Sequence, residues 1–283
     1  MLADSLPPPG AAMPAPSRVE IDESNAQFRG AWRLFALGSK SGEVVERPEV
    51  YITACHVAWS MMNSAFLRAP VETEQALAAS AASAARYFSA GKHGWSFVIC
   101  DDWLAPSVRD NAPSILAWYG LKSEMDVTGM VADRLAPSIH PRHPFAVRPV
   151  TDTWGRQAVA DINANVYDVP RHFGREAFDE DTLYTPDCQG FVACRDEEAA
   201  ASTVVLRVDA AAYVALVATQ PQHRRQGAAE AVMRHALAKA HQDWGTERTV
   251  LHATSAGEPV YTRMGYRPVT RFRMYMAPPP GQG

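Results

Sequence analysis

The stretch "ATQPQHRRQGAAEAVMRHALAKA", residues 218–240, ends an apolar run, turns at Pro221, lays down Arg224 and Arg225, and reaches Gly227-Ala228-Ala229 before helical spacing begins. Small side chains at the first turn of a helix let another molecule approach the backbone. The N–H groups of that turn have no intrahelical acceptor and carry partial positive charge. Such a turn is a seat for an anion, phosphate above all, and the arginine pair adds charge and donors beside it. A plain strand, turn and helix with two surface arginines has the same local pattern, so these residues alone leave both readings open. Two phosphate motifs are excluded. The Gly-Lys-Ser/Thr ending of a P-loop is absent, and Gly227 stands alone where the dinucleotide fingerprint needs three glycines.

The elements that would position this turn follow from periodicity. In the first half, "NAQFRGAWRLFALGSK" has helical spacing, the residues from "GEVVERPEVYITACHVAW" to "AFLRA" are β-rich, and "VETEQALAASAASAARYFSAGK" is a helix by propensity. The strand "WSFVIC", a helix around "APSILAWYG" and the strand "MDVTGMVA" follow. The second half reads as strand "FAVRPVTD", a helix from Trp154, loops carrying "FDEDTLYTPD", and three antiparallel strands, "GFVACRD", "STVVLRVD" and "AAYVALVAT". Short turns at "EEAA" and "DA" join those three. A helix from Gly227, the strand "TVLHAT", a short helix "EPVYTRMG" and the strand "FRMYMA" complete the order β-α-β-β-β-α-β-α-β. This is a mixed α/β domain. The run "ILAWYGLKSEMDVTGMVA" echoes "PVYTRMGYRPVTRFRMYMA", a helix, a glycine (Gly120, Gly265) and a methionine-bearing strand. Any glycine-capped helix before a strand gives that pattern; a duplicated fold with a decayed first copy gives it too.

A chain of 283 residues has room for two domains, each with its own core. We divide it into a flexible tail (1–20), an N-terminal domain (21–135), a linker (136–143), a C-terminal domain (144–277) and a short tail (278–283). A net charge of −4 argues against a nucleic-acid partner held by phosphate neutralisation. No run of about 18 apolar residues is present to span a membrane. The opening "MLADSLPPPGAAMPAPS" lacks the basic and apolar regions of a secretory signal. Cys55, Cys100, Cys188 and Cys194 share no CxxC spacing and read as buried thiols of a cytoplasmic protein, with no metal site.

Pro221 followed by Arg224-Arg225-Gln226-Gly227-Ala228-Ala229, then a strand, then Tyr261-Thr262-Arg263-Met264-Gly265-Tyr266, resembles the GCN5-related N-acetyltransferase (GNAT) superfamily. Its acyl-CoA signature is a strand, a Pro and Gln/Arg-x-x-Gly-x-Gly/Ala opening a long helix, and its later short helix reads Tyr-x-x-x-Gly-Phe. The resemblance covers residues 144–277 and implies the acyl-CoA N-acyltransferase fold, in tandem form with a degenerate first domain. That first half lacks the Arg-x-x-Gly-x-Ala motif and has Leu116 where the tyrosine would stand, so it is not expected to bind CoA in the family's manner.

The resemblance also implies roles. Backbone N–H groups from Arg225 to Glu230 would hold the pyrophosphate of acetyl-CoA, with Arg224, Gln226, Gly227, Ala228 and Ala229 shaping the seat. Val217 and Thr219 would bond the pantetheine arm, and the amide of Val217 or Ala218 would polarise the thioester. Thr254 stands where the family commonly has asparagine, which weakens one pantetheine contact. Tyr261 is at the general-acid position, or packs the short helix. His252 is a candidate base on one of the strands flanking the cleft, or a buried structural histidine, and Tyr213 shapes the same cleft or serves as packing. The acidic runs "FDEDTLY" and "RDEEAA" attract a cationic amine or are solvated loops. The implied activity is acetyl transfer to a primary amine of a small molecule by direct attack, with an oligomer left open. A protein or peptide acceptor, and a non-catalytic acyl-CoA-binding regulatory module, remain as alternatives.

Overall fold

The computed structural model describes residues 15–138 and 144–280. The opening tail up to residue 14, linker residues 139–143 and the last three residues lie outside them.

The first half opens with α1 (Arg18–Gly38). Ser17 accepts from the Glu20 N–H while the Glu20 carboxylate accepts from the Ser17 N–H, a reciprocal cap that starts the helix within the stretch read as tail. Phe28, Trp32 and Phe35 recur at helical spacing and are buried. Next come the antiparallel strands β1 (Glu43–Glu46), β2 (Val50–Ala54) and β3 (Asn63–Leu67), with a 3₁₀ turn at Ser60–Met62. Then α2 (Glu74–Phe88), β4 (Trp95–Cys100) parallel to β3, α3 (Pro106–Ala117) and β5 (Lys122–Ala132) follow.

The second half contains β6 (Ala146–Pro149), α4 (Thr153–Val166), α5 (Arg171–Phe178), and the antiparallel strands β7 (Cys188–Arg195), β8 (Glu198–Val208) and β9 (Ala211–Thr219). After them stand α6 (Ala228–Trp244), β10 (Thr249–Ala253) parallel to β9, α7 (Glu258–Arg263) and β11 (Arg267–Ala277). The order is as expected except for α5, where a loop was expected. Gly174 lowers the helix propensity of that segment, yet it is required. A Cβ there would come 2.5 Å from the Ala160 carbonyl oxygen of α4. The β7–β8 turn also differs. It sits at Asp196-Glu197, both with positive φ (50° and 65°), because β8 already begins at Glu198.

Among the described residues, eleven strands form one sheet in the order β1-β2-β3-β4-β11-β5-β10-β9-β8-β7-β6. From either end the same pattern runs inward: antiparallel strands, one parallel step, then a long strand contributed by the opposite half. β11 lies between β4 and β5, and β5 between β11 and β10, all antiparallel. The two halves thus exchange their last strands across a central β5–β11 seam. The sequence echo is these two strands and the helices before them. One apolar core takes Phe28, Phe66 and Phe97 from the first half with Tyr213 and Phe272 from the second, while a separate core lies beneath α6.

Candidate active site

β10 pairs with β9 only at Thr249–Ala212, Val250–Tyr213 and Leu251–Val214. Beyond Val214, β9 continues to Thr219 with no partner strand on that side. The opening coincides with a bulge, where the β8 register jumps from Val204–Ala215 to Ser202–Ala218 and Leu216 takes φ 52°. That conformation is unfavourable for leucine, so neighbours must hold it. The Ser202 hydroxyl donates to the Leu216 carbonyl at 3.1 Å, and the Asn163 amide reaches the same oxygen at 3.5 Å and Ser202 at 3.1 Å. Both polar side chains are wholly buried. In a trans peptide the N–H points opposite to the C=O. The Val217 N–H therefore points away from Ser202, on the side that β10 has left.

β9 runs on into the turn that precedes α6. After a 3₁₀ turn at Pro221–His223, Arg225 and Gly227 both adopt positive φ, 59° and 83°. The first helical bond of α6 runs from the Ala231 N–H to the Gly227 carbonyl at 2.9 Å. Among the described residues, the N–H groups of Arg225, Gln226, Gly227, Ala228 and Ala229 donate no hydrogen bond. Nothing lies within 4 Å of the position a Gly227 Cβ would take, so the glycine serves its left-handed φ and leaves the approach clear. Arg224 reaches back to the Thr219 carbonyl at 3.3 Å, and Gln226 is fixed by Arg195 at 2.6 Å and by the Gln222 carbonyl. The carboxylate of Glu230 turns aside to Arg234 at 2.7 Å and accepts from Ser138 at 2.8 Å.

On the other lip, the Thr254 carbonyl accepts from the Gly257 and Glu258 N–H groups at 2.8 and 3.1 Å, which starts α7. Tyr261 is buried on that helix, its ring so close to Gly257 that a Cβ there would stand 2.8 Å from it. Burial, with the hydroxyls of Tyr167 and Tyr266 nearby, holds the phenol protonated far above neutral pH. His252 is packed between Phe28, stacked at 4.0 Å, and the edge of Phe272 at 4.6 Å. Its Nδ1 meets the Tyr213 hydroxyl at 2.9 Å and its Nε2 the Ser24 hydroxyl at 3.2 Å. Burial drives its pKa down to about 3, so the ring is neutral at pH 7. What surface it keeps faces a cavity of about 60 Å³ that Leu216 and Thr254 also line.

The structure thus brings Val217, Ala218, Thr219 and the Arg224–Glu230 turn onto one continuous lip, with Thr254 and Tyr261 on the lip opposite. The acidic runs do not join them. "RDEEAA" is a hairpin turn and the start of β8, "FDEDTLY" packs Phe178 and Leu183 into the core, and neither lines the cavity. Sequence reasoning missed the Leu216 bulge, the Asn163–Ser202 pair and Tyr167. The one available signal was a buried-face asparagine in the α4 pattern "VADINANV".

The first half repeats this geometry with its openings closed. β3 and β4 pair over Ser64–Ser96, Ala65–Phe97 and Phe66–Val98. Beyond them Val71 and Leu104 bridge the gap, through bonds of 2.7 Å to the Trp103 carbonyl and 3.0 Å from the Ala105 N–H. At the start of α2 the Thr73 hydroxyl already caps the Ala76 N–H, and Glu74 brings negative charge to the first turn.

All four cysteines are free and buried. Among the described residues no helix is long and apolar enough to cross a membrane, and no cluster of three His, Cys, Asp or Glu is placed to hold a metal ion.

The acetyltransferase (GNAT) domain family matches residues 159–274. No curated protein matches the sequence. Among solved structures, a GCN5-related N-acetyltransferase from Kribbella flavida is similar with a TM-score of 0.66 and 18% identity, over 92% of this chain and 95% of that one. A conserved protein of unknown function from Staphylococcus epidermidis has a TM-score of 0.60 and 12% identity, over 84% and 94%. A putative GNAT-family acetyltransferase from Novosphingobium aromaticivorans has a TM-score of 0.53 and 16% identity, over 87% and 96%. The shared fold therefore extends over both halves.

Proposed function

We propose, on the match of residues 159–274 to the acetyltransferase (GNAT) domain family, that the protein transfers an acetyl group from acetyl-CoA to the primary amine of a small molecule by direct attack. The observation that carries this reading is the β9 lip, an unpaired strand edge that leads without interruption into a turn of unbonded N–H groups.

When bound, acetyl-CoA supplies an activated acyl group on a sulfur leaving group. The amides of Arg225 to Glu230, with the positive end of α6, receive its pyrophosphate. Val217 and Thr219 hold the pantetheine arm through backbone groups, and Thr254 contributes from the facing lip. The Val217 N–H, fixed by the bulge, faces the charge that develops on the thioester oxygen; one preorganised donor of this kind is worth roughly 3–4 kcal/mol. Tyr261, protonated at neutral pH, suits a proton donor to the departing sulfur. His252, with both nitrogens bonded, shapes the cavity wall in this reading rather than accepting the amine proton. The narrow cavity of about 60 Å³ favours a small acceptor over a folded protein surface.

Titration calorimetry with acetyl-CoA tests the donor site, run beside Gly227→Glu. Glutamate at a φ of 83° is strained, and its charge repels the pyrophosphate. Micromolar binding by the wild type, lost in a variant whose circular dichroism is unchanged, is expected. A wild type that does not bind acetyl-CoA overturns the proposal.

A further inference from the structure

We propose that the acceptor is an aromatic amine, uncharged at neutral pH, whose reactive end enters a cavity walled jointly by both halves of the chain. This rests on the acetyl-transfer reading and adds the substrate class.

The cavity opens where the Leu216 bulge turns the Val217 amide out of the sheet, the place an attacking nitrogen must reach. From the second half, Tyr167, Tyr213, Val214, Leu216, His252 and Met274 are among the residues that line it. From the first come Phe28, Trp32 and Phe35 of α1, Met61 and Met62 of the 3₁₀ turn, and Met125 and Val127 of β5. No Asp, Glu, Lys or Arg is among the lining residues. Of the polar side chains that reach it, Tyr213, His252 and Trp32 are committed, which leaves the Tyr167 and Thr254 hydroxyls to face an uncharged guest. The Tyr213 hydroxyl and both His252 nitrogens are bonded to one another or to Ser24, and the Trp32 indole N–H donates to the Met61 carbonyl at 2.8 Å.

An alkylammonium, with a pKa of about 10, would enter as a cation, lose its hydration and find no counter-charge. No carboxylate stands ready to take its proton. An aromatic amine carries no charge at neutral pH and presents a ring to aromatic walls. The cavity of about 60 Å³ is smaller than the roughly 150 Å³ apolar cavity that holds benzene, so a ring enters only if the wall yields. Met61, Met62, Met125 and Met274 supply that adaptability. In the reaction the amine nitrogen bonds to the thioester carbon, the carbon–sulfur bond breaks, the nitrogen's proton passes to solvent, and Tyr261 protonates the sulfur and takes a proton back from solvent. The products are an N-aryl acetamide and the free thiol of CoA.

Aniline and cyclohexylamine, nearly equal in size but one neutral and the other cationic at pH 7, make the test, with CoA thiol release as the readout on the full chain. The expected kcat/KM at pH 7 is at least tenfold higher for aniline and flat from pH 6 to 8, while that for cyclohexylamine rises about tenfold per pH unit with its neutral fraction. Met125→Glu, a partly exposed position on the cavity rim, should narrow the ratio by favouring the cation. Acetyl-CoA binding accompanied by faster turnover of cyclohexylamine at pH 7, or by no turnover of aniline, overturns this inference and leaves the donor reading standing. Failure of acetyl-CoA to bind overturns the donor reading itself.

Discussion

At Tyr261 the question is which proton state the cleft selects, and burial answers it by penalising the phenolate. Tyr261→Phe keeps the ring against Gly257 and removes only the hydroxyl. Its kcat should fall by about 10²-fold, the lower end for a positioned acid, while the calorimetric Kd for acetyl-CoA stays within twofold. An unchanged kcat would reduce Tyr261 to packing. His252 makes its prediction through stability. An unfolded imidazole takes its proton near the ordinary value of about 6.5, whereas the folded one resists until about 3. Between those values the unfolded chain binds more protons, so the stabilisation by the neutral ring is complete above pH 6.5 and declines as pH falls toward 3. His252→Gln removes the ionisation. The drop in Tm from pH 7 to pH 4.5 should be smaller in the variant than in the wild type, and equal slopes would refute the buried neutral ring.

The β9 bulge shows how an element acquires chemistry that none of its residues has alone. Val217 N–H is available because Leu216 accepts a left-handed φ, and Leu216 accepts it because Ser202 and Asn163 hold its carbonyl from the other side. Asn163→Ala removes a donor to that buried carbonyl and leaves Ser202 with one partner fewer. Lost partners of buried polar groups cost about 1–3 kcal/mol, and thermal unfolding should register it. The sharper expectation is kinetic: kcat drops more than the affinity for acetyl-CoA, because the donor to the thioester oxygen loses its fixed direction. Equal losses in both would mean that the pair merely supports the fold. The matching gap in the first half, stitched by Val71 and Leu104, has no comparable bulge beside it in the β2–β3 pairing.

For the whole molecule, strand exchange makes two sequence halves one cooperative body. A fragment of residues 144–283 keeps β11 but loses both its neighbours, β4 and β5, and exposes the edge of β10 that β5 covered. Unpaired strand edges of that kind invite aggregation. Helix α1 adds a second tie, with Arg248 bonded to Glu23 at 2.7 Å and Arg267 paired with Glu20. Expressed alone, the fragment should be insoluble or lack a cooperative unfolding transition, and co-expression with residues 1–138 should restore both solubility and acetyl-CoA binding. A soluble fragment with the acceptor kinetics of the full chain would show that the first half is dispensable.

The sequence by itself determined most of the elements and the turn of unbonded amides before α6, because both rest on local physics. Periodicity marks helices and strands, and a glycine between two arginines and an alanine-rich helix marks a turn whose amides must find an outside partner. It also carried the duplication, as two glycine-capped helices before methionine-bearing strands. Tertiary structure alone decided the rest. Gly174 argues against a helix until Ala160 lies against it. Nothing in "AAYVALVAT" announces that Leu216 will bulge, since the polar pair that holds it stands 14 and 53 residues away in the chain. His252 looked able to titrate near neutral pH until Phe28, Phe272, Tyr213 and Ser24, three of them far off in sequence, enclosed it. Which strand crosses which seam depends on the register of distant partners, and so does the composition of the acceptor cavity.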